Sequence, residues 1–273
     1  INDFAQQAEA VRKNFYVFMA TEYGTIKRVE LEQFSNVRSN GLRALELNGD
    51  DRLIGVAITD GEQQIMLFSN EGKAIRFAET DVRSMGRSAK GVRGMRVTIG
   101  ASQVEETEEN DVDVEDEDNS DSVVISRIVS LVVVPETGEV LCASGHGYGK
   151  RTPVDDFPTK KRGGKGVIAL KTSERNGELI GAVSIDASKE LMLISDGGTL
   201  VRTRASEVAQ TGRNAQGVRL IRLSNDELLV GVVSVDAVED EELEAIDVVE
   251  NTEVEAITSE EVSSEPKDDT TEE

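Results

Sequence analysis

Residues 65–76 read IMLFSNEGKAIR: four apolar residues, a serine, a glycine three positions on, and an arginine four beyond that. An apolar run, a polar turn closed by glycine and a second β-prone run describe a hairpin, with the glycine in the φ > 0 position near the end of its loop. The same pattern returns in VFMATEYGTIKR (17–28), VLCASGHGYGKR (140–151) and LMLISDGGTLVR (191–202). Gly24, Gly72, Gly147 and Gly198 lie 48, 75 and 51 residues apart, and each precedes Arg28, Arg76, Arg151 or Arg202 by four.

Each unit continues alike. Gly91, Gly166 and Gly217 follow the first glycine by 19 residues, with Arg87, Arg162 and Arg213 four residues ahead of them; Arg38 and Gly41 stand closer in the first copy. A strand is expected next (GLRALEL, GVRGMRV, GVIALK, GVRLIRL), then a last apolar strand (RLIGVAI, RIVSLVV, ELIGAVS, LLVGVVS). Four short strands at a period near 50 residues predict an all-β, propeller-like fold of four-stranded blades, about four of them. The blades are expected within 17–238, as 17–64, 65–139, 140–190 and 191–238, with the end of a preceding blade and its connector at 1–16. A short helix is expected at Asp3–Arg12.

The formal net charge of −23 is unevenly spread. Residues 105–121 hold eleven acids, inside an insert at 101–122, and residues 239–273 hold sixteen acids against one base. Without these segments 26 acids and 29 bases remain, a net of +3. The expectation is a mildly basic body with an acidic surface loop and a disordered acidic tail. The tail reads either as a solubilising segment or as an intramolecular mimic, docking on the basic surface, of the polyanion which that surface would bind.

Several function classes fare badly. A lone Cys142 excludes an internal disulfide framework and a cysteine-based zinc cluster, and a lone His146 leaves little for metal or imidazole chemistry. GHGYGKRT (145–152) fails the P-loop pattern, because Ser144 and Arg151 stand where glycine and Ser or Thr are required. No catalytic set is expected, nor a membrane-spanning or signal segment, and the chain reads as cytoplasmic.

The cations carry a positive reading. Arginine at an edge strand ordinarily discourages sheet-to-sheet pairing, but here it returns at one offset in every repeat. Arg28, Arg76, Arg151 and Arg202 form one series; Arg38, Arg87, Arg162 and Arg213 form a second. Lys27, Lys73, Lys150, Arg204, Lys90, Arg93, Lys165 and Arg219 fall in the same neighbourhoods. Lys160, Lys161, Arg162 and Lys165 share the glycine-loosened loop TKKRGGKG (159–166). Cations repeated on a curved rim predict a track for duplex DNA, bound through phosphates rather than base edges and steeply sensitive to salt.

FMATEYGTIKR, MLFSNEGKAIRF, GYGKRT, GTLVRTR and the acidic tail resemble the repeats of the C-terminal domain of the bacterial DNA gyrase A subunit. The resemblance spans nearly all of 14–236. It implies a hairpin-swapped β-pinwheel that wraps duplex DNA around a basic rim in support of ATP-dependent negative supercoiling. It further implies partnership with the remainder of the gyrase A polypeptide and with the B subunit in an A2B2 holoenzyme, nucleoid association, and no cofactor in this stretch, with ATP and magnesium acting elsewhere. The family domain typically has six blades, so the resemblance implies that these four are its blades three to six. KKRGGKG (160–166) keeps the RGGKG core of the family's box motif but has Lys160 and Lys161 where the motif has Gln and Arg, and stands in a later blade. The related topoisomerase IV domain is the alternative within this class. A propeller-like protein-interaction platform is the alternative outside it, and a β-propeller enzyme a third class, disfavoured by the lack of a reacting set.

Overall fold

The computed structural model describes residues 15–36, 39–98, 126–135, 137–186, 188–224 and 226–237. The expected helix at Asp3–Arg12, the acidic insert at 101–122, nearly all of the connector and the tail at 239–273 lie outside the described residues, as does Arg38.

Each quoted unit forms its hairpin. The pairs are β1 (Tyr16–Thr21) with β2 (Thr25–Glu30), β4 (Gln64–Ser69) with β5 (Lys73–Ala78), β8 (Glu139–Ser144) with β9 (Tyr148–Pro153) and β12 (Lys189–Ser195) with β13 (Leu200–Arg204). The glycine nitrogen closes each turn on the carbonyl of the hydroxylated residue three positions back, as in Gly72 to Ser69 at 2.9 Å. All four glycines have φ between 77° and 85°, as the turn chemistry requires. The remaining strands are β3 (Leu53–Thr59), β6 (Val92–Arg93), β7 (Ile128–Val134), β10 (Val167–Ile168), β11 (Leu179–Ile185), β14 (Val218–Arg219) and β15 (Leu229–Asp236).

The sheets run β3-β1-β2-β6, β10-β5-β4-β7, β11-β8-β9-β14 and β13-β12-β15. A repeat therefore keeps its hairpin and last strand, while its third segment crosses to the edge of the preceding blade. Gly94 and Met95 donate to the Gly24 carbonyl, Ala169 and Leu170 to Gly72, and Leu220 and Ile221 to Gly147. This exchange explains both glycine series. A Cβ on Gly72 would lie inside van der Waals contact of the Leu170 carbonyl oxygen, and one on Gly166 would sit 2.5 Å from that of Ala74. Gly198 and Gly41, at the two ends of the repeat array, have the same positive φ and nothing within 4 Å.

The first copy departs from expectation. Residues 41–48 form no strand, because no earlier hairpin stands beside them among the described residues. Ala44 and Leu45 fold back instead onto Val17, Met19, Val29 and Leu31. The last sheet correspondingly has three strands among the described residues, and Leu200 on β13 is exposed.

The cores lie between blades. Phe18, Ile26, Leu67, Ile75 and Phe77 join the first two; Met66, Phe68, Val140, Cys142 and Phe157 the next two; Leu141, Leu191, Leu193 and Ile221 the last two. Phe18 and Phe77 stand 6.5 Å apart between ring centroids, and Phe68 and Phe157 6.3 Å. Each such ring contributes roughly 1.5–3 kcal/mol on burial, so a blade's stability depends on its neighbour. The last strands also meet across blades: a Cβ on Gly55 in β3 would lie 2.8 Å from Leu131 Cβ in β7. Ile128 donates to the Glu22 carbonyl, Leu179 to Asn70 and Leu229 to Gly145, at 2.8–2.9 Å, tying each last strand to the turn before it.

Candidate nucleic-acid interface

The first arginine series staples blades together. Arg76 Nη1 donates to the carbonyls of Val154 (3.0 Å) and Phe157 (3.3 Å), around the 3-10 turn Val154–Asp156 of the next blade. Arg151 does the same to Val208 through Nε (2.7 Å) and to Ser206 through Nη2 (3.4 Å), and pairs with Glu139 at 2.6 Å. Arg28 reaches Glu79, 3.7 Å away in the next blade's turn, and lies 4.5 Å over the Tyr16 ring. Arg202, on the last hairpin, pairs within its own blade with Glu190. The spacing placed these side chains on the rim; the structure turns the first three into the blade junctions.

The second series binds backbone along the rim. Arg87 donates to the carbonyl of Arg43 (3.4 Å), Arg162 to that of Arg93 (2.8 Å) and Arg213 to that of Ile168 (3.3 Å). These acceptors occupy one position in successive repeats, so each arginine ties its loop to the third segment of the repeat before. All three remain partly exposed.

Lys27 and Lys150 are enclosed, at 0% exposure. Their place beside an arginine on a β-strand turns them to the opposite face, beneath the loops of the second series. Lys27 Nζ donates to the carbonyls of Ala44 (2.8 Å) and Arg87, and Lys150 Nζ to those of Gly212 (2.7 Å) and Arg213 (3.0 Å) and to the Thr152 hydroxyl (3.1 Å). Burial lowers the pKa of Lys27 and brings that of Lys150 down to about 8. Neither ammonium is at the surface, which corrects their placement on an exposed track. Burial pushes the Cys142 thiol up to about 12, in keeping with an inert core residue.

Lys90, Arg93, Lys160, Lys161, Lys165, Arg204 and Arg219 are exposed, and Lys73 is half-exposed beside Glu71 at 2.8 Å. Lys90, Arg93, Lys160, Lys161 and Lys165 make no ion pair among the described residues. The loop at 159–166 is set directly against the previous third segment. Gly163 donates to the Gly94 carbonyl (2.6 Å) and Arg96 to that of Gly164 (3.0 Å), and Lys171 repeats the second contact on Ala215 (3.2 Å). Segments 90–97, 160–171 and 211–222 thus form a hydrogen-bonded belt rich in cations that make no ion pair among the described residues. The sequence reading missed the exposed Arg96, Lys171 and Arg222, five residues after the second glycine in three repeats, where the first copy has Glu46. It also missed Arg43, Arg83 and Arg175.

Among the described residues no three His, Cys, Asp or Glu side chains converge as metal ligands, and no helix is long and apolar enough to cross a membrane. The profile of the family described as "DNA gyrase C-terminal domain, beta-propeller" matches residues 16–60, 63–110, 138–186 and 189–236, one match in each repeat. The chain belongs to this family. It is 48% identical over 241 residues to the DNA gyrase A protein of Haemophilus influenzae, covering 86% of this chain and 27% of that protein. With the DNA gyrase A protein of Pseudomonas aeruginosa the identity is 51% over 221 residues, covering 81% and 21%. The chain therefore spans about a quarter of the length of these relatives. Among solved structures, a DNA gyrase A C-terminal domain superposes with a TM-score of 0.66 at 24% identity, covering 83% of this chain and 68% of that one. The C-terminal domain of a DNA topoisomerase IV gives 0.69 at 21%, covering 89% and 69%. At these identities the superpositions speak to the pinwheel fold alone.

Proposed function

We propose that the chain is the DNA-wrapping module of a type II topoisomerase of the gyrase kind. It bends duplex DNA along the cationic belt. The remainder of the gyrase A polypeptide, with the B subunit in a cytoplasmic A2B2 assembly, supplies ATP-dependent strand passage and its magnesium. The reading rests on one observation above all: a continuous belt of segments carries Lys90, Arg93, Arg96, Lys160, Lys161, Lys165 and Lys171 with no carboxylate partner among the described residues. Such cations bind a polyanion by displacing its condensed counterions, and backbone phosphates accept them without regard to sequence. The stapling arginines contribute indirectly, by fixing the blade-to-blade angle that gives the belt its curvature.

A salt titration of duplex binding tests this. Wild type should show a steep negative log–log slope, and Lys161→Glu with Lys165→Glu should flatten it by about 0.9 for each phosphate left unneutralised. Binding of a protein ligand, insensitive to salt and with no affinity for DNA, would favour an interaction platform instead. The fold shared with the topoisomerase IV domain makes that enzyme the second reading; restoration of supercoiling to a gyrase lacking this domain, against decatenation alone, separates the two.

A further inference from the structure

The groove between the third hairpin turn and the third segment of the last repeat differs from its equivalents. Tyr148, the first residue of β9, is 7% exposed, and two guanidinium carbons stand over its ring: Arg175 at 5.0 Å and Arg219 at 5.4 Å from the centroid. Arg219 Nη2 also donates to the phenol oxygen at 3.0 Å. Arg222 and His146 line the same cavity, of about 670 Å³, and His146 Nδ1 lies 3.2 Å from the Arg175 carbonyl oxygen. That turn is locked by Asn176, fully buried, whose Nδ2 donates to the carbonyls of Lys171 (3.0 Å) and Gln216 (3.1 Å). Its Oδ1 accepts from the Ser173 amide at 2.8 Å.

Arg175, Arg219 and Arg222 have no carboxylate partner among the described residues. Two acids, Asp226 and Glu227, line the same cavity. Glu227 is engaged by the Ser195 hydroxyl and the Ser224 amide, which hold its carboxyl at about 2; Asp226 is exposed. At the positions of Tyr148, Arg219 and Arg222 the first junction has Thr25, Arg93 and Arg96, and the second has Lys73 (tied to Glu71), Ile168 and Lys171. Three guanidiniums held together repel one another, and an oxyanion with several acceptor oxygens removes that cost through charge-assisted hydrogen bonds.

We propose that Arg175, Arg219 and Arg222, with the Tyr148 hydroxyl, form a seat for one phosphodiester group of duplex DNA at the third blade junction. The proposal rests on the DNA-binding reading above and adds a localised contact to the distributed belt. The seat has its own optical reporter, because the chain has three tyrosines and no tryptophan. Hydrogen bonds from Arg219 and Arg175 lower the Tyr148 pKa in the free protein. A bound phosphate neutralises those guanidiniums and raises it again.

The test uses the full chain and a duplex of about 40 base pairs in a salt series. Arg175→Ala and Arg222→Ala are each expected to weaken binding roughly three- to tenfold at low salt and to flatten the slope by about 0.9. Phenolate absorbance against pH should show one tyrosine ionising early in the free protein and later with DNA bound. Tyr148→Phe should remove that early step. Wild-type binding unchanged in both arginine variants, with no phenolate shift, overturns the seat and leaves the belt standing. A shift produced by inorganic phosphate and not by DNA assigns the seat to a free anion and overturns the proposal. Failure of wild type itself to bind DNA would sink the underlying reading.

Discussion

At the scale of the residue, the hairpin glycines separate conformational demand from crowding. Gly72 needs both its positive φ and the absence of a Cβ, since the Leu170 carbonyl crosses it; Gly198 has the same φ with open space beside it. Gly198→Ala should therefore cost about 1 kcal/mol, the ordinary penalty for a non-glycine residue in this region. Gly72→Ala should cost at least about 2 kcal/mol more, because the backbone of the exchanged segment must shift. Urea unfolding of the two variants reads the difference, and equal costs would refute the crowding argument. Lys150 makes a second, pH-dependent prediction. Its folded pKa near 8 lies below the ordinary 10.5, so between those values the unfolded chain binds more protons and stability from this group rises with pH. The stability of wild type relative to Lys150→Met should improve as pH is raised from about 7 to about 10. Other titrating groups largely cancel in that difference, and a constant difference would show that the ammonium bears no burial cost.

At the scale of the element, the stapling arginines should matter to the fold more than to DNA. Arg76→Ala removes two hydrogen bonds from a charged donor to the next blade and should cost about 2–3 kcal/mol. Arg202→Ala removes one half-exposed ion pair within its blade and should cost about 1 kcal/mol or less. A reversed order in thermal or urea unfolding would contradict the staple. The hairpins and their glycines were legible because turn chemistry is local. Ownership of the third strand was not, since GVRGMRV and GVIALK carry no mark of whether they pair with their own hairpin or the one before. Only the resemblance supplied the exchange. Arginine spacing likewise predicted the repeat and not the direction. Lys150 and Arg151 are neighbours on one strand with opposite faces, and period-two alternation cannot say which face meets the next blade. Arg96, Lys171 and Arg222 could have been found, because their offset from the second glycine is as regular as that of the arginines ahead of it.

At the scale of the whole molecule, charge is partitioned rather than balanced: a body of net +3 carries two strongly acidic segments. Inter-blade cores, exchanged strands and arginine staples fix the angle between neighbouring blades, and the cations lie on the segments that perform the exchange. On the DNA-wrapping reading, curvature set by the cores and staples and charge carried by the exchanged segments would let a belt of phosphate contacts repay the several kcal/mol needed to bend a short duplex. The most direct measurement of that claim is topological. Nicked plasmid is saturated with the full chain, sealed by ligase and freed of protein, and its linking-number distribution is compared with a control sealed without protein. Wrapping along the belt predicts a shift of one sign that grows with protein and collapses when Lys161 and Lys165 are reversed to Glu. A distribution that stays centred on the control while the DNA is demonstrably bound would mean that the belt holds DNA without wrapping it.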